Sequence, residues 1–184
     1  MKNIVIIGLK LTVICAVAAL CLGFINAVTL PKIEKNKAIV LKEALSAVNK
    51  SGTPGKEVFV EGNKTVLSYY PVSVAGGEIS SYILTLKGEG YGGDLKILAN
   101  FEKSGKLIAC VLMDNQETPG LGKEAENSSY MTKFVGKGDD APIPIKKAQL
   151  SSADADAIGG ATITFAGLGN ALAHGSDYVK KIGE

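Results

Sequence analysis

The chain has 184 residues, a formal net charge of +2 and 46% hydrophobic residues. This length suits one domain plus an accessory segment, and the small net charge gives no reason to expect a nucleic-acid partner. The three cysteines lack metal-ligand spacing and the single histidine cannot form a metal site alone, so we predict neither a metal centre nor a disulfide framework.

The first predicted element is a membrane anchor. Residues 11–30 contain no charged side chain, and a helix of that length, at about 1.5 Å per residue, matches the hydrocarbon thickness of a bilayer. A secretory signal has a shorter apolar region of about 7–15 residues and a small-residue cleavage site, which Ile25-Asn26-Ala27 matches poorly. We therefore predict a retained single-pass anchor over residues 1–30, with lysines on both flanks that leave its orientation open.

An amphipathic helix is predicted next, in residues 31–52. Apolar residues recur there at the three- and four-residue spacing of one helix face, namely Ala38, Leu41, Leu45 and Val48. Two arrangements stay open from the sequence. The segment continues the membrane helix, or it packs on the soluble domain.

The middle of the chain is rich in predicted strands. Residues 58–60, 65–70 and 79–87 carry β-branched and aromatic side chains between turns that contain glycine or asparagine. Residues 94–115 form the clearest hairpin, with a turn at 103–106. The first arm has apolar side chains at every second position, which predicts one buried face made of Leu95, Ile97, Ala99 and Phe101. The second arm, residues 107–113, is almost wholly apolar, which predicts an interior strand.

The last predicted element is a helix near the C-terminus. Its apolar stripe follows i, i+4, i+7, i+11 spacing, through Ala161, Phe165, Leu168 and Leu172. Two glycines, Gly167 and Gly169, weaken this helix by about 1 kcal/mol each relative to alanine, and they allow close packing on a sheet. Taken together, the elements predict an α+β fold over residues 53–184, an antiparallel sheet with flanking helices.

Three loops contain several glycines: residues 88–93, 117–122 and 159–162. Each has an ordinary structural explanation, as a strand connection, a type II turn at Pro119-Gly120, and a helix start with Thr162 in the first turn. The third loop also precedes a helix N-terminus, which suits a phosphate group. A Walker A loop is excluded because no Gly-Lys-Ser/Thr follows, and a dinucleotide fingerprint is excluded because no GxGxxG lies between a strand and a helix. Asp154 and Asp156 are most simply exposed loop carboxylates.

The sequences GYGG, ETPGLG and GGATIT, in this order behind an N-terminal anchor, resemble the RnfG family of FMN-binding proteins. RnfG is a subunit of the Rnf ion-translocating electron-transport complex, and the related NqrC belongs to the sodium-pumping NADH:quinone reductase. The most specific part is the flavinylation pattern Asp-x-x-Ser/Thr-Gly-Ala-Thr/Ser, which runs here from Asp156 to Thr162. This chain differs from the family at Gly159, where a hydroxyl residue is usual, and at Asn115 and Phe165, where relatives often carry histidine and serine.

The resemblance implies that the Thr162 hydroxyl carries one covalent FMN, joined through the flavin phosphate. A separate flavin transferase would attach it, using FAD and Mg²⁺. The resemblance places Gly160, Ala161 and Thr164 around the attachment point. It implies a flavin pocket lined by Glu117, Thr118, Gly120 and Leu121.

The function implied is electron transfer within a membrane complex that couples ferredoxin:NAD⁺ electron flow to Na⁺ or H⁺ translocation. The expected partners are the other Rnf subunits, the transferase and the lipid bilayer. The soluble domain is expected on the extracytoplasmic side of the cell (inner) membrane. The translocase activity would belong to the assembly, and no catalytic residue is predicted in this chain. Two alternatives are an NqrC-like subunit and a membrane-anchored extracytoplasmic binding module without a redox role.

Overall fold

A long helix opens the fold. The computed structural model describes residues 2–50, 52–74 and 76–183, and the chain forms two compact units that divide between Leu41 and Lys42. Helix α1 (Lys2–Val48) is continuous over 47 residues and contains Pro31. The predicted amphipathic segment therefore continues the helix that precedes it. Ser51, near the end of that predicted segment, lies outside the described residues.

The N-terminal helix has the surface expected of a membrane span. Among the residues that the structure describes, one helix, over Ile4–Val48, is long and apolar enough to cross a membrane. Its most apolar 18-residue window has a mean hydropathy of 2.6, and none of that window is buried. Large side chains such as Leu20 and Phe24 are more than two-thirds exposed, so this segment presents the apolar surface that a lipid phase covers.

The second unit is built on one sheet of six antiparallel strands. The strand order is β1-β3-β4-β5-β6, and β2 also pairs with β3. The strands are β1 (Thr53–Pro54), β2 (Val58–Phe59), β3 (Val66–Ser73), β4 (Ile79–Glu89), β5 (Asp94–Glu102) and β6 (Leu107–Asp114). This sheet with its helices confirms the predicted α+β class.

Strand β5 is buried on both faces of the sheet. The predicted face is confirmed, because Leu95, Ile97, Ala99 and Phe101 are all fully buried. Leu98 and Asn100 point to the other face and are buried too. The Asn100 amide donates a hydrogen bond to the carbonyl oxygen of Val48 at 3.0 Å, so the C-terminal turn of α1 packs on this second face.

The prediction of an interior strand at residues 107–113 is wrong. Strand β6 pairs with β5 and stands at the end of the strand order. Leu107 and Cys110 are the only buried residues of this strand. Burial raises the pKa of the Cys110 thiol to about 12. A 3₁₀ turn (Gly122–Glu126) and the short helix α2 (Ser128–Met131) pack beside β6. Its apolar residues are therefore covered by a connecting segment instead of a neighbouring strand.

Helix α4 (Thr162–Gly183) covers the first face of the sheet. It follows a second 3₁₀ turn (Lys147–Gln149) and helix α3 (Ser152–Ala157). All four residues of its predicted stripe are buried. A Cβ atom on Gly167 would collide with the carbonyl oxygen of Glu89, and one on Gly169 would collide with that of Pro144. The two glycines therefore let the helix lie directly against the end of β4 and a neighbouring loop.

Candidate cofactor site

Thr162 is the first residue of α4, and its side chain is exposed. The Phe165 N–H donates to the Ala161 carbonyl at 3.0 Å, which closes the first helical turn. The N–H groups of Thr162, Ile163 and Thr164, which precede that bond, have no partner within the helix, so they point out of its N-terminal end. The structure thus presents the Thr162 hydroxyl at a helix N-terminus, as the sequence predicted.

A left-handed glycine brings the loop before α4 against the ETPGLG loop. Gly160 has φ of 75°, a conformation that side chains other than glycine adopt at a cost. A Cβ atom there would lie 2.8 Å from a methyl carbon of Leu121. Gly120, with φ of 76°, follows Pro119 in a turn closed by the Leu121 N–H and the Thr118 carbonyl at 3.2 Å. This geometry agrees with the predicted type II turn.

Glu117 joins the GYGG and ETPGLG loops to the first turn of α4. Its side chain is buried, with 7% exposure. One carboxylate oxygen accepts a hydrogen bond from the Gly92 N–H at 3.0 Å. The other accepts from the Thr164 hydroxyl at 2.8 Å. Because both oxygens act as acceptors, the hydrogen bonds suit the ionised carboxylate.

Glycines make the room that this carboxylate occupies. A Cβ atom on Gly90 would collide with one carboxylate oxygen of Glu117, and a Cβ atom on Gly122 would collide with the other. The N–H of Gly92 donates to the carboxylate, and a Cβ atom on Gly92 would collide with the carbonyl oxygen of Gln116. The small residues of the GYGG and ETPGLG loops are therefore needed to enclose a buried acid.

Asn115 stabilises the start of the ETPGLG loop through two hydrogen bonds. Its side-chain oxygen accepts from the Glu117 N–H at 3.0 Å, and its amide donates to Glu126 at 2.9 Å. Both bonds hold the backbone on which Glu117 stands. Asn115, one of the differences from the family pattern, therefore has a structural role here.

Two cavities flank the first turn of α4. The smaller, of about 280 Å³, is lined by six of the predicted site residues: Glu117, Thr118, Leu121, Gly160, Ala161 and Thr164. Sequence reasoning missed three further lining residues, Tyr91, Gly122 and Ile163. Tyr91, Leu121 and Ile163 are exposed by 75%, 44% and 55%, so this cavity has an apolar rim open to solvent.

The larger cavity is a cleft of about 680 Å³ between α4 and the end of β4, and Thr162 lines this one. Ala166, Asn170 and His174 continue its wall at four-residue intervals from Thr162 along one face of the helix. That spacing is readable in the sequence, and it is the signal that could have found these residues. Across the cleft lie Lys64 and the end of β4, where Lys87 pairs with Asp94 at 2.7 Å.

The remaining predicted residues lie outside both linings. Gly120, Asp156 and Gly159 are exposed. The carbonyl of Asp156 accepts from the Gly159 N–H at 3.1 Å and so helps to turn the chain toward α4. A Cβ atom on Gly159 would meet nothing nearer than that carbonyl, at 3.5 Å. A larger residue therefore fits at position 159, as the family pattern implies.

A buried tyrosine lies near Glu117. Tyr130 is 4% exposed, and its hydroxyl has no hydrogen-bond partner in the described part of the chain. Burial, together with the negative charge of Glu117, raises the pKa of Tyr130 to about 12. Its ring packs edge-on against Phe165 with centroids 6.4 Å apart. The tyrosine thus contributes apolar packing under the first turns of α4.

The fold and these loops define a class of protein, since residues 90–176 match the family model of the FMN-binding domain. The corresponding subunit of the Na⁺-translocating ferredoxin:NAD⁺ oxidoreductase complex of Acetobacterium woodii is 30% identical, over 86% of this chain and 83% of that protein. Its counterpart in the proton-translocating complex of Clostridium ljungdahlii is 26% identical, over 89% and 84%. The crystal structure of Shewanella oneidensis NqrC has the same fold, with a TM-score of 0.51 and 20% identity over 74% of this chain and 73% of that one.

The chain belongs to the RnfG family, whose members are subunits of ion-translocating oxidoreductase complexes. The resemblance drawn from the three loops is therefore confirmed. The family model covers the GYGG, ETPGLG and GGATIT sequences and ends at Ser176 in α4.

Proposed function

We propose that this chain is an electron-transfer subunit that carries one FMN, attached covalently through its phosphate to the Thr162 hydroxyl. The observation that supports this most directly is the exposure of that hydroxyl at the N-terminus of α4, with only small residues before it. The unpaired N–H groups and positive end of the helix favour an anionic phosphate there. When bound, the FMN would accept and pass on electrons between its neighbours in the complex.

The attachment reaction needs a separate enzyme. A flavin transferase with Mg²⁺ would take FMN from FAD: the bond from Thr162 Oγ to phosphorus forms, the pyrophosphate bond breaks, AMP leaves, and the hydroxyl proton goes to a base on the transferase. This chain contributes an accessible acceptor. Gly159, Gly160 and Ala161 leave space for the transferase around the hydroxyl.

The smaller cavity suits the flavin ring. Tyr91, Leu121 and Ile163 are exposed apolar side chains that line it together, and a ring packed among them would remove apolar surface from water. Glu117, Thr118, Gly120, Gly160 and Ala161 form the surrounding loops. Because the cofactor is tethered, ring binding is intramolecular at an effective concentration on the order of millimolar, so a shallow cavity is enough.

The assembly is inferred from the relatives. The two named relatives belong to ferredoxin:NAD⁺ oxidoreductase complexes that translocate Na⁺ in one case and protons in the other. We propose the same role here, coupling ferredoxin:NAD⁺ electron flow to Na⁺ or H⁺ translocation together with other Rnf subunits. The translocase activity belongs to that assembly.

We also propose a single-pass location in the cell membrane. Residues 1–30 would be the anchor, residues 31–52 the juxtamembrane segment, and residues 53–184 the FMN-binding domain on the extracytoplasmic side. A dissociable flavin would be lost from that side, where no pool of FMN refills the site. A covalent bond therefore matches this location, and the uncovered apolar surface of α1 supports the membrane anchor.

The test is covalent flavin on the full-length chain produced together with a flavin transferase. Wild-type protein should give a fluorescent band after denaturing electrophoresis and an intact mass increased by one FMN less one water. Thr162→Ala should abolish both signals, whereas Thr162→Ser keeps the hydroxyl and should retain them. Thr132→Ala is the matched control, since it removes another exposed threonine hydroxyl. A fluorescent Thr162→Ala band would contradict the assignment, and so would wild-type protein of bare polypeptide mass.

A further inference from the structure

The buried acid at position 117 is placed to control the attachment point without touching it. Thr162 and Thr164 lie two residues apart in the first turn of α4, so their side chains point about 200° apart around the helix axis. Thr164 is 1% exposed and donates to Glu117, while Thr162 faces solvent. Holding Thr164 inward therefore directs Thr162 outward.

The same carboxylate fixes the neighbouring loops. Through the Gly92 N–H it holds the GYGG loop, and that loop carries Tyr91 at the rim of the smaller cavity. Its own backbone belongs to the ETPGLG loop, which carries Leu121 on the same rim. One side chain thus sets the relative positions of the acceptor turn and of two apolar residues proposed to pack against the flavin ring.

The charge of Glu117 is not neutralised by a cation. No salt bridge reaches it within the residues that the structure describes, and its two hydrogen-bond partners are a backbone N–H and a hydroxyl. It also lines the smaller cavity. A buried negative charge there disfavours any gain of negative charge by a group bound beside it, because the local dielectric constant is low.

We propose that Glu117 is a positioning residue for flavin attachment and that its charge lowers the reduction potential of the attached flavin. This rests on the proposed function, since it requires FMN on Thr162. Thr164 then acts on the site through Glu117, because its hydroxyl hydrogen is already donated to the carboxylate.

The test compares four full-length proteins, each produced with a flavin transferase: wild type, Glu117→Ala, Glu117→Gln and the control Glu124→Gln. Glu124 is exposed and close in sequence, so its change removes the same charge where water screens it. Two quantities are measured. They are the rate of covalent flavin incorporation, from in-gel fluorescence over time, and the midpoint potential of the loaded flavin, from spectroelectrochemistry.

Glu117→Ala should slow incorporation by about tenfold or more, because small misplacements of a reacting atom reduce rates steeply. Glu117→Gln should restore incorporation, since its amide oxygen can accept from Gly92 and its NH₂ can donate to Thr164. Its loaded flavin should nevertheless have a more positive potential than wild type. Glu124→Gln should change neither quantity.

A second variant separates positioning from charge. Thr164→Val removes the hydroxyl and keeps the Glu117 carboxylate. Covalent flavin incorporation should therefore slow, and the midpoint potential of the loaded flavin should equal that of wild type or lie below it. A wild-type incorporation rate in both Glu117→Ala and Thr164→Val would overturn the positioning role. An unchanged potential in Glu117→Gln would overturn the electrostatic role. Absence of covalent flavin from wild type itself would overturn the proposed function as well, which distinguishes the two failures.

Discussion

The two cavities beside Ile163 differ in chemistry although they share one helical turn. The smaller has an apolar rim of Tyr91, Leu121 and Ile163 around a buried acid. The larger is lined by charged and polar side chains such as Lys64 and Asn170 on a floor of glycine and alanine. Thr162 lines the larger cavity, and the next residue, Ile163, lines both cavities. The proposed attachment point therefore stands at a border between apolar and polar surfaces, which would match a cofactor with an apolar ring and an ionised phosphate.

The largest expected effect comes from changing the floor of the larger cleft. Gly167→Ala places a Cβ atom against the carbonyl of Glu89 in β4, and neither backbone can move without separating helix and sheet. We expect a loss of about 3 kcal/mol in unfolding free energy despite the gain of about 1 kcal/mol in helix propensity. Thermal unfolding should show a fall in Tm of about 10 °C.

Gly159→Ala is the control for that change. It makes the same substitution near the smaller cavity, where the added atom has ordinary van der Waals space. Its Tm should stay close to wild type. Equal effects of the two substitutions would show that the close contact between α4 and β4 does not exist in solution.

A smaller effect should reveal which cavity holds the flavin ring. Leu121→Ala shortens the apolar rim at a residue in the lining of the smaller cavity and not of the larger. Each methylene removed from contact costs about 0.8 kcal/mol, which is about a fourfold rise in undocked ring. Iodide quenching of the flavin fluorescence should increase accordingly. His174→Ala, in the larger cleft, serves as the control and should leave quenching unchanged. The opposite pattern would place the ring in the larger cleft.

The smallest effect is expected at Tyr130. Its hydroxyl is buried without a partner in the described chain, so at neutral pH Tyr130→Phe should keep the unfolding free energy or raise it by a few tenths of a kcal/mol, about 1 kcal/mol at most. The pKa of Tyr130 is raised to about 12, above the ordinary value of about 10. Between these values the folded state holds a proton that the unfolded state releases, so stability falls as pH rises.

Denaturation with urea across pH 9 to about 12 checks this second effect at Tyr130. The phenylalanine variant lacks a contribution of up to about 1.4 kcal/mol per pH unit, so its stability should decline less steeply than that of wild type. Identical slopes would show that Tyr130 ionises as freely in the folded protein as in the unfolded one.

The sequence predicted those features that depend on local pattern. The alternating arm of β5 and the stripe of α4 are buried as expected, because period two and period 3.6 determine which side chains share a face. The turn at Pro119-Gly120 also follows from its two residues. The family resemblance rested on short loops, where glycine is required by positive φ at Gly120 and Gly160 and by close approach at Gly122.

Only the tertiary structure decided what covers each face and which groups meet. An apolar run such as β6 indicates that its side chains must be covered, but the covering element can be either a strand or a connecting segment. The bond between Thr164 and Glu117 joins residues 47 positions apart, and no periodicity encodes such a pair. The division of the site into two cavities likewise depends on how closely α4 approaches β4, which backbone packing sets.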